Sequence, residues 1–208
     1  MSFKNLTQAA QIHFPNLKIV YDNRNTLVKF IENIFNFNSY TIYLPPINYI
    51  KIHPISQSVS FMHDLMHVYD SNRLNKLIFN FLYLFPQLLS VLCLPLLFFF
   101  SWKLILPAII ILLAPIPSYF RAHLEMRAYI SSLYVLNILG RRLRFNPHIL
   151  DQKNIFVEQF SNVNYYFMFP FKKKINKKFE EAMGKIMSGG RPFEDPIFDI
   201  LDDLISKV

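Results

Sequence analysis

Apolar residues in this chain recur at helical spacing in several segments, cluster in one short stretch and fill one long stretch almost completely. Within a mixed lead-in of residues 1–37, Leu27, Val28, Phe30, Ile31, Ile34 and Phe35 fall at helical spacing and predict a helix over Thr26–Phe35. Tyr40-Thr41-Ile42-Tyr43-Leu44 is β-branched and aromatic and stops at Pro45-Pro46, which predicts a short edge strand. Ser56–Tyr69 reads as a helix, with Ser56 or Ser58 as its N-cap. Asp195-Pro196 opens an acidic amphipathic helix carrying Ile197, Ile200, Leu201, Leu204 and Ile205 on one face, expected to dock on the body or on a partner.

The long apolar stretch runs from Leu77 to Tyr119, where Lys103 is the only charge. One membrane-spanning helix takes about 20 apolar residues. The run is about twice that, and Ser101-Trp102-Lys103 interrupts it. It predicts a transmembrane helical hairpin, 77–100 and 104–122, spanning fully or re-entrant, with Trp102 and Lys103 at the far interface. The second arm is expected to continue through Arg121–Leu139 and to stop at Gly140. Arg73 and Lys76 precede the run; Arg121, Arg127, Arg141, Arg142 and Arg144 follow it. By the positive-inside rule both ends face the cytoplasm, so the chain is expected to be an integral membrane protein with both termini on that side. The alternative is a buried helical hairpin without a membrane.

The resulting organisation has four parts. Residues 1–76 hold the edge strand and the first motif helix, 77–120 the hairpin, 121–187 the rest of the core, and 188–208 a linker with the acidic helix. Asn164–Phe171 is an aromatic block before Lys172-Lys173-Lys174 and Lys177-Lys178; it fits either a membrane-interface segment or a core strand followed by a solvated helix face.

Composition narrows the chemistry. Only 4 of 208 residues are glycine, and no GxGxxG or GxxxxGK[ST] occurs, so nucleotide binding has no motif. The single cysteine, Cys93, rules out an internal disulfide and a cysteine-based zinc site. The net charge of +8 suits nucleic acid or an anionic membrane surface, but no nucleic-acid recognition motif accompanies it, and no nucleic-acid partner is expected. Residues 1–30 lack the continuous apolar core of a signal peptide.

His63-Asp64-Leu65-Met66-His67 carries the candidate chemistry. Residues four apart share one helix face, so His63 and His67 can offer two imidazole nitrogens to one ion. In HExxH sites the acid after the first histidine is a general base toward water. Here it is Asp64, one methylene shorter than glutamate. A tetrahedral catalytic zinc needs a third protein ligand and an open position. Glu125 is the first candidate, because a hairpin that leaves and returns would bring it beside the histidines; an ion pair with Arg121 is its alternative role. His123 and Asp70 are the other candidate ligands, and His13, His53 and His148 belong to no pattern.

This arrangement resembles the membrane-bound zinc metalloproteases of the HtpX and CAAX-prenyl-protease kind, over about residues 40–130. Those enzymes place HExxH on a helix, then a membrane hairpin, then a glutamate ligand in an ExxAD-like segment. Here the order is His63–His67, the apolar run and Glu125-Met126-Arg127-Ala128-Tyr129. Asp64 stands where the family has its base glutamate, and Tyr129 where it has an acid. The resemblance implies a mainly α zincin-like core with a small β element and an inserted hairpin. It implies zinc on His63, His67 and Glu125, Asp64 as base, and hydrolysis of polypeptides at the cytoplasmic membrane face. The strand 40–44 would then align substrate, and Tyr69 or Arg121 would donate to the carbonyl oxygen. A non-enzymatic membrane anchor or assembly protein, a degenerate metalloprotease included, is the competing reading. A membrane di-iron oxidase fails on ligand count, since the 6 histidines form a single HxxxH pair.

Overall fold

The computed structural model describes residues 3–21, 40–44, 54–85, 89, 95, 99, 101–113, 117–162 and 169–207. Helix α1 (Phe3–His13) leads into strand β1 (Leu17–Tyr21), which pairs in parallel with β2 (Tyr40–Leu44), Leu17 opposite Tyr40 and Tyr21 opposite Leu44. The strand foreseen at 40–44 is therefore present. A parallel pair needs a long crossover. The helix expected over Thr26–Phe35 falls in that crossover, outside the described residues.

Helix α2 (Pro54–Leu74) and α3 (Lys76–Leu84) come next, then α4 (Trp102–Leu113), α5 (Tyr119–Leu143), α6 (Ile149–Gln159), α7 (Lys172–Met187) and α8 (Ile197–Ser206). The core forms where α2 lies along α5, with α1, α7 and α8 packed around them and β2 against α2. Phe61, Met62, Leu65 and Met66 of α2 meet Ala128, Ile130, Leu133 and Val135 of α5 in one buried cluster. Both helices are buried on more than one side, which suits their central place.

Helix α2 runs five residues beyond the sequence expectation, because Asp70 and Ser71 are buried rather than solvated. It stops at Asn75, which takes a positive φ of 67°. The Asn75 side chain then accepts from the Leu77 backbone N–H at 3.0 Å and caps α3. One residue thus ends one helix and starts the next.

The expected transmembrane hairpin, and with it the integral membrane placement, is not supported by the described residues. Among the described residues no helix is long and apolar enough to cross a membrane. Helix α3 has 9 residues and ends at Phe85, whose ψ of 136° is the extended geometry that a following proline imposes. Helix α4 has 12 residues, a length of about 18 Å against a hydrocarbon thickness of about 30 Å. Helix α5 is long, at 25 residues, but carries Arg121, Glu125, Arg127, Arg141 and Arg142. The hydropathy of the run is real. The described helices within it, α3 and α4, are both shorter than a bilayer. The expected fold class, a zincin-like core with an inserted hairpin, is corrected to a mainly helical arrangement with, among the described residues, one two-stranded sheet.

The second arm also fails to run on into Arg121–Leu139. Helix α5 starts afresh at Ser118, whose hydroxyl accepts from the Arg121 N–H. It passes through Gly140 and ends at Leu143, with Arg144 in the left-handed region and the Phe145 N–H closing on the Gly140 carbonyl at 3.0 Å. Gly140 has a different use. A Cβ there would stand 2.9 Å from the Pro147 ring, so its hydrogen lets the following loop fold back onto the helix.

Near the C-terminus the acidic amphipathic helix is present and docks on the body as expected. Helix α8 buries Ile197, Phe198, Leu201, Leu204 and Ile205 against α1, α5 and α2. The lysines of α7 form a solvated face, while Ile175, Phe179, Ala182, Met183 and Ile186 turn inward. The aromatic block before them lies mostly outside the described residues; of it Phe169 packs on the core and Phe171 is exposed.

Candidate metal centre

Helix periodicity puts His63 and His67 on the side of α2 that faces α5, and α5 presents Glu125 to them. Glu125 Oε2 lies 3.4 Å from His63 Nε2 and 3.7 Å from His67 Nε2. One atom from each of the three residues falls within 4.8 Å of the others, so the group could hold a metal ion. Atoms bound tetrahedrally to one zinc at about 2.0–2.1 Å are about 3.3 Å apart. The observed separations are long for hydrogen bonds and close to that spacing.

The burial of the group strengthens the point. Glu125 is 2% exposed and His67 7%. Among the described residues, Glu125 Oε2 and His67 Nδ1 are buried with no hydrogen-bond partner. Such atoms are costly in a native interior and call for an explanation, of which an ion is one. An ion among the three residues would satisfy Oε2. His67 Nδ1 faces away from that role; its ring is held instead by edge contacts with His63, Phe79 and Tyr83.

Electrostatics follow from the packing. Burial drives the Glu125 carboxyl toward its neutral form, yet His67 and His63 reverse this and hold its pKa well below the usual range. Burial likewise opposes charge on His67, and Glu125 outweighs it, raising the imidazole pKa. A divalent cation bound here would take over the charge compensation that the protons supply. Asp64 is half-buried. Desolvation pushes its carboxyl pKa up against the pull of His63 and His67, and Glu125 adds to the rise.

Sequence reasoning missed Tyr83. Its hydroxyl donates to Glu125 Oε1 at 2.5 Å, and its own pKa is driven far up, first by burial and then by the Glu125 charge. It sits on α3, in the run assigned to a membrane. A lone tyrosine among apolar residues carries no signal that it will meet a carboxylate 42 positions away. Arg121 does not take up Glu125 as the alternative reading had it; its guanidinium lies over the Tyr83 ring, 5.0 Å from the centroid.

The other candidates go elsewhere. Asp70 accepts from Arg127 at 3.0 and 3.3 Å. His123 is exposed and stacks on Tyr119. The Tyr69 hydroxyl donates to Asp195, so it does not face the metal group as a carbonyl donor. His13 pairs with Asp203 at 2.8 Å, and His148 lies beside Asp151 on the surface. His53 lies outside the described residues.

Tyr129, the second departure from the family pattern, packs its ring on His63 with centroids 4.5 Å apart, and on Phe156 at 4.5 Å. The imidazole is thus fixed in part by aromatic packing. Beyond the site, Arg127 also reaches Asp195 at 2.9 Å, and Asp195 takes Arg73 as well. Its inner members, Asp70, Arg127 and Asp195, tie α2 and α5 to the segment before α8, while Arg73 joins from the surface.

No protein-family model, no curated protein and no solved structure matches this chain. The functional reading therefore rests on the geometry of the three candidate ligands and on the short motifs that contain them.

Proposed function

We propose that the chain is a zinc-dependent hydrolase acting on peptide bonds, with His63, His67 and Glu125 as ligands and Asp64 as general base. The observation that supports this best is the convergence of two imidazole nitrogens and a buried carboxylate oxygen that has no hydrogen-bond partner among the described residues. Two nitrogens and one oxygen suit zinc and leave a fourth position open.

Bound zinc would polarise a carbonyl and make water acidic near neutral pH. The protein residues would do the rest. Asp64 would accept a proton at a carboxylate oxygen as the water oxygen bonds to the carbonyl carbon. It would then return that proton to the amine nitrogen as the C–N bond breaks. Strand β2 packs against α2, and Tyr40 at its start is close enough to feel the charges of Asp64 and Glu125. That places extended backbone near the motif, as substrate alignment requires.

Metal analysis of the purified full chain tests the first half of the reading. One zinc per chain, lost in His63→Ala and Glu125→Ala, is expected; absence of metal from every preparation, including one dialysed against zinc, overturns it. Hydrolysis of an unfolded protein substrate tests the second half. A chain that binds zinc and cleaves nothing would be a metal-binding protein without this activity. The shortened base, Asp64, is the observation that favours that second reading.

A further inference from the structure

The two oxygens of Glu125 have different surroundings. Oε1 accepts the Tyr83 hydroxyl at 2.5 Å, and Oε2 faces the two histidine nitrogens. The Tyr83 ring is itself confined. It stacks beside Phe79 at 5.9 Å, meets the His67 ring edge-on at 6.0 Å and carries the Arg121 guanidinium over its face. A cation over the ring draws electron density from the phenol and strengthens it as a donor.

From this asymmetry we propose that Tyr83 is a positioning residue that occupies Oε1 and so restricts Glu125 to one-oxygen ligation of the metal through Oε2. This rests on the metal-binding reading of the site. A carboxylate with both oxygens free can bind an ion in a two-oxygen mode, which fills a further coordination position. An oxygen that already accepts a short hydrogen bond is the poorer donor to a metal, because that bond draws on its electron density, so the hydrogen bond on Oε1 favours ligation through Oε2 alone. Tyr83 thereby keeps the position open that catalysis needs, and Arg121 acts behind it by fixing the ring. A residue of α3 thus takes the orienting role that an acid at position 129 would serve in the family pattern.

The test compares wild type with Tyr83→Phe, which keeps the ring and removes the donor. Zinc affinity is measured by competition with a chelator, and ligation by the visible spectrum of the cobalt(II)-loaded protein. In Tyr83→Phe we expect zinc affinity to fall about 10–100-fold. The cobalt bands should weaken as the released carboxylate oxygen raises the coordination number. A role confined to packing would leave that spectrum unchanged. Unchanged affinity with an unchanged cobalt spectrum overturns the proposal while the metal site stands. A wild type that binds neither zinc nor cobalt overturns the metal reading itself and this inference with it. Should Tyr83→Phe fail to fold, the difference infrared spectrum of the wild type on adding zinc decides. A widened splitting of the carboxylate stretches supports one-oxygen ligation, and a narrowed splitting refutes it.

Discussion

Tyr129 lies against His63 with ring centroids 4.5 Å apart, and its other side meets Phe156 and Phe160. The same ring therefore fills the core between α5 and α6 and braces a candidate ligand. Tyr129→Ala should cost about 3–5 kcal/mol, the usual range for removing a buried aromatic ring. It should also weaken metal binding, since the imidazole loses its support. Chemical denaturation and a metal titration on the same preparation check both. Lost stability with unaltered metal affinity would confine Tyr129 to packing.

Glu125 and Asp64 should separate cleanly. Glu125→Ala removes the only carboxylate in the ligand group and should lower zinc affinity by more than about a hundredfold, beyond what loss of an orienting partner costs. Equilibrium dialysis against zinc measures it.

Asp64→Asn should keep the metal, because Asp64 is not in the ligand group, and should lower turnover by about 10²–10⁴-fold. Steady-state cleavage of an unfolded substrate, with zinc content measured in parallel, gives the answer. Equal turnover in both proteins would remove Asp64 from the reaction.

Asp195 gives the chain an acid-sensitive joint. Burial pushes its carboxyl pKa up, but Arg127, Tyr69 and the Ile197 N–H outweigh this and set it below the ordinary aspartate value. A depressed folded pKa means that the unfolded chain takes up the proton first. The stability it contributes is therefore full above the unfolded value of about 4 and is lost as pH falls through the lower folded value. Asp195→Asn should destabilise by about 3 kcal/mol at pH 7, at the low end for a broken buried pair because Asp70 still holds Arg127. Urea unfolding from pH 7 to pH 3 should show the gap between wild type and variant closing below about pH 4. A gap that stays constant would exclude this linkage.

Gly140→Ala should lower the unfolding midpoint, with a cost of about 1–3 kcal/mol for forcing a methyl into a packed contact. The added Cβ would meet Pro147 Cδ and Cγ at 2.9 Å, and a proline ring has little freedom to yield. Thermal unfolding followed by circular dichroism checks it. An unchanged midpoint would mean that the loop after α5 shifts freely.

Local pattern was enough for the parts of this protein that depend on neighbours in the chain. The four-residue spacing of His63 and His67 puts both on one helix face, Tyr40–Leu44 is strand-forming whatever its surroundings, and α8 shows its apolar stripe in its own residues. The partner Glu125 was also legible, but for a reason that did not hold. It reaches the histidines because α5 packs along α2, and among the described residues no helix is long and apolar enough to cross a membrane. A hydropathy sum over 77–119 counts apolar residues and does not register that α3 ends at Phe85 and that α5 starts afresh at Ser118. Tyr83 on Glu125, Tyr129 on His63 and Arg127 between Asp70 and Asp195 were decided only when the helices packed. Each joins residues far apart in sequence, and a contact of that kind is selected by the whole core: burial strips water from a polar atom, and the atom must then find whatever partner the neighbouring helix presents.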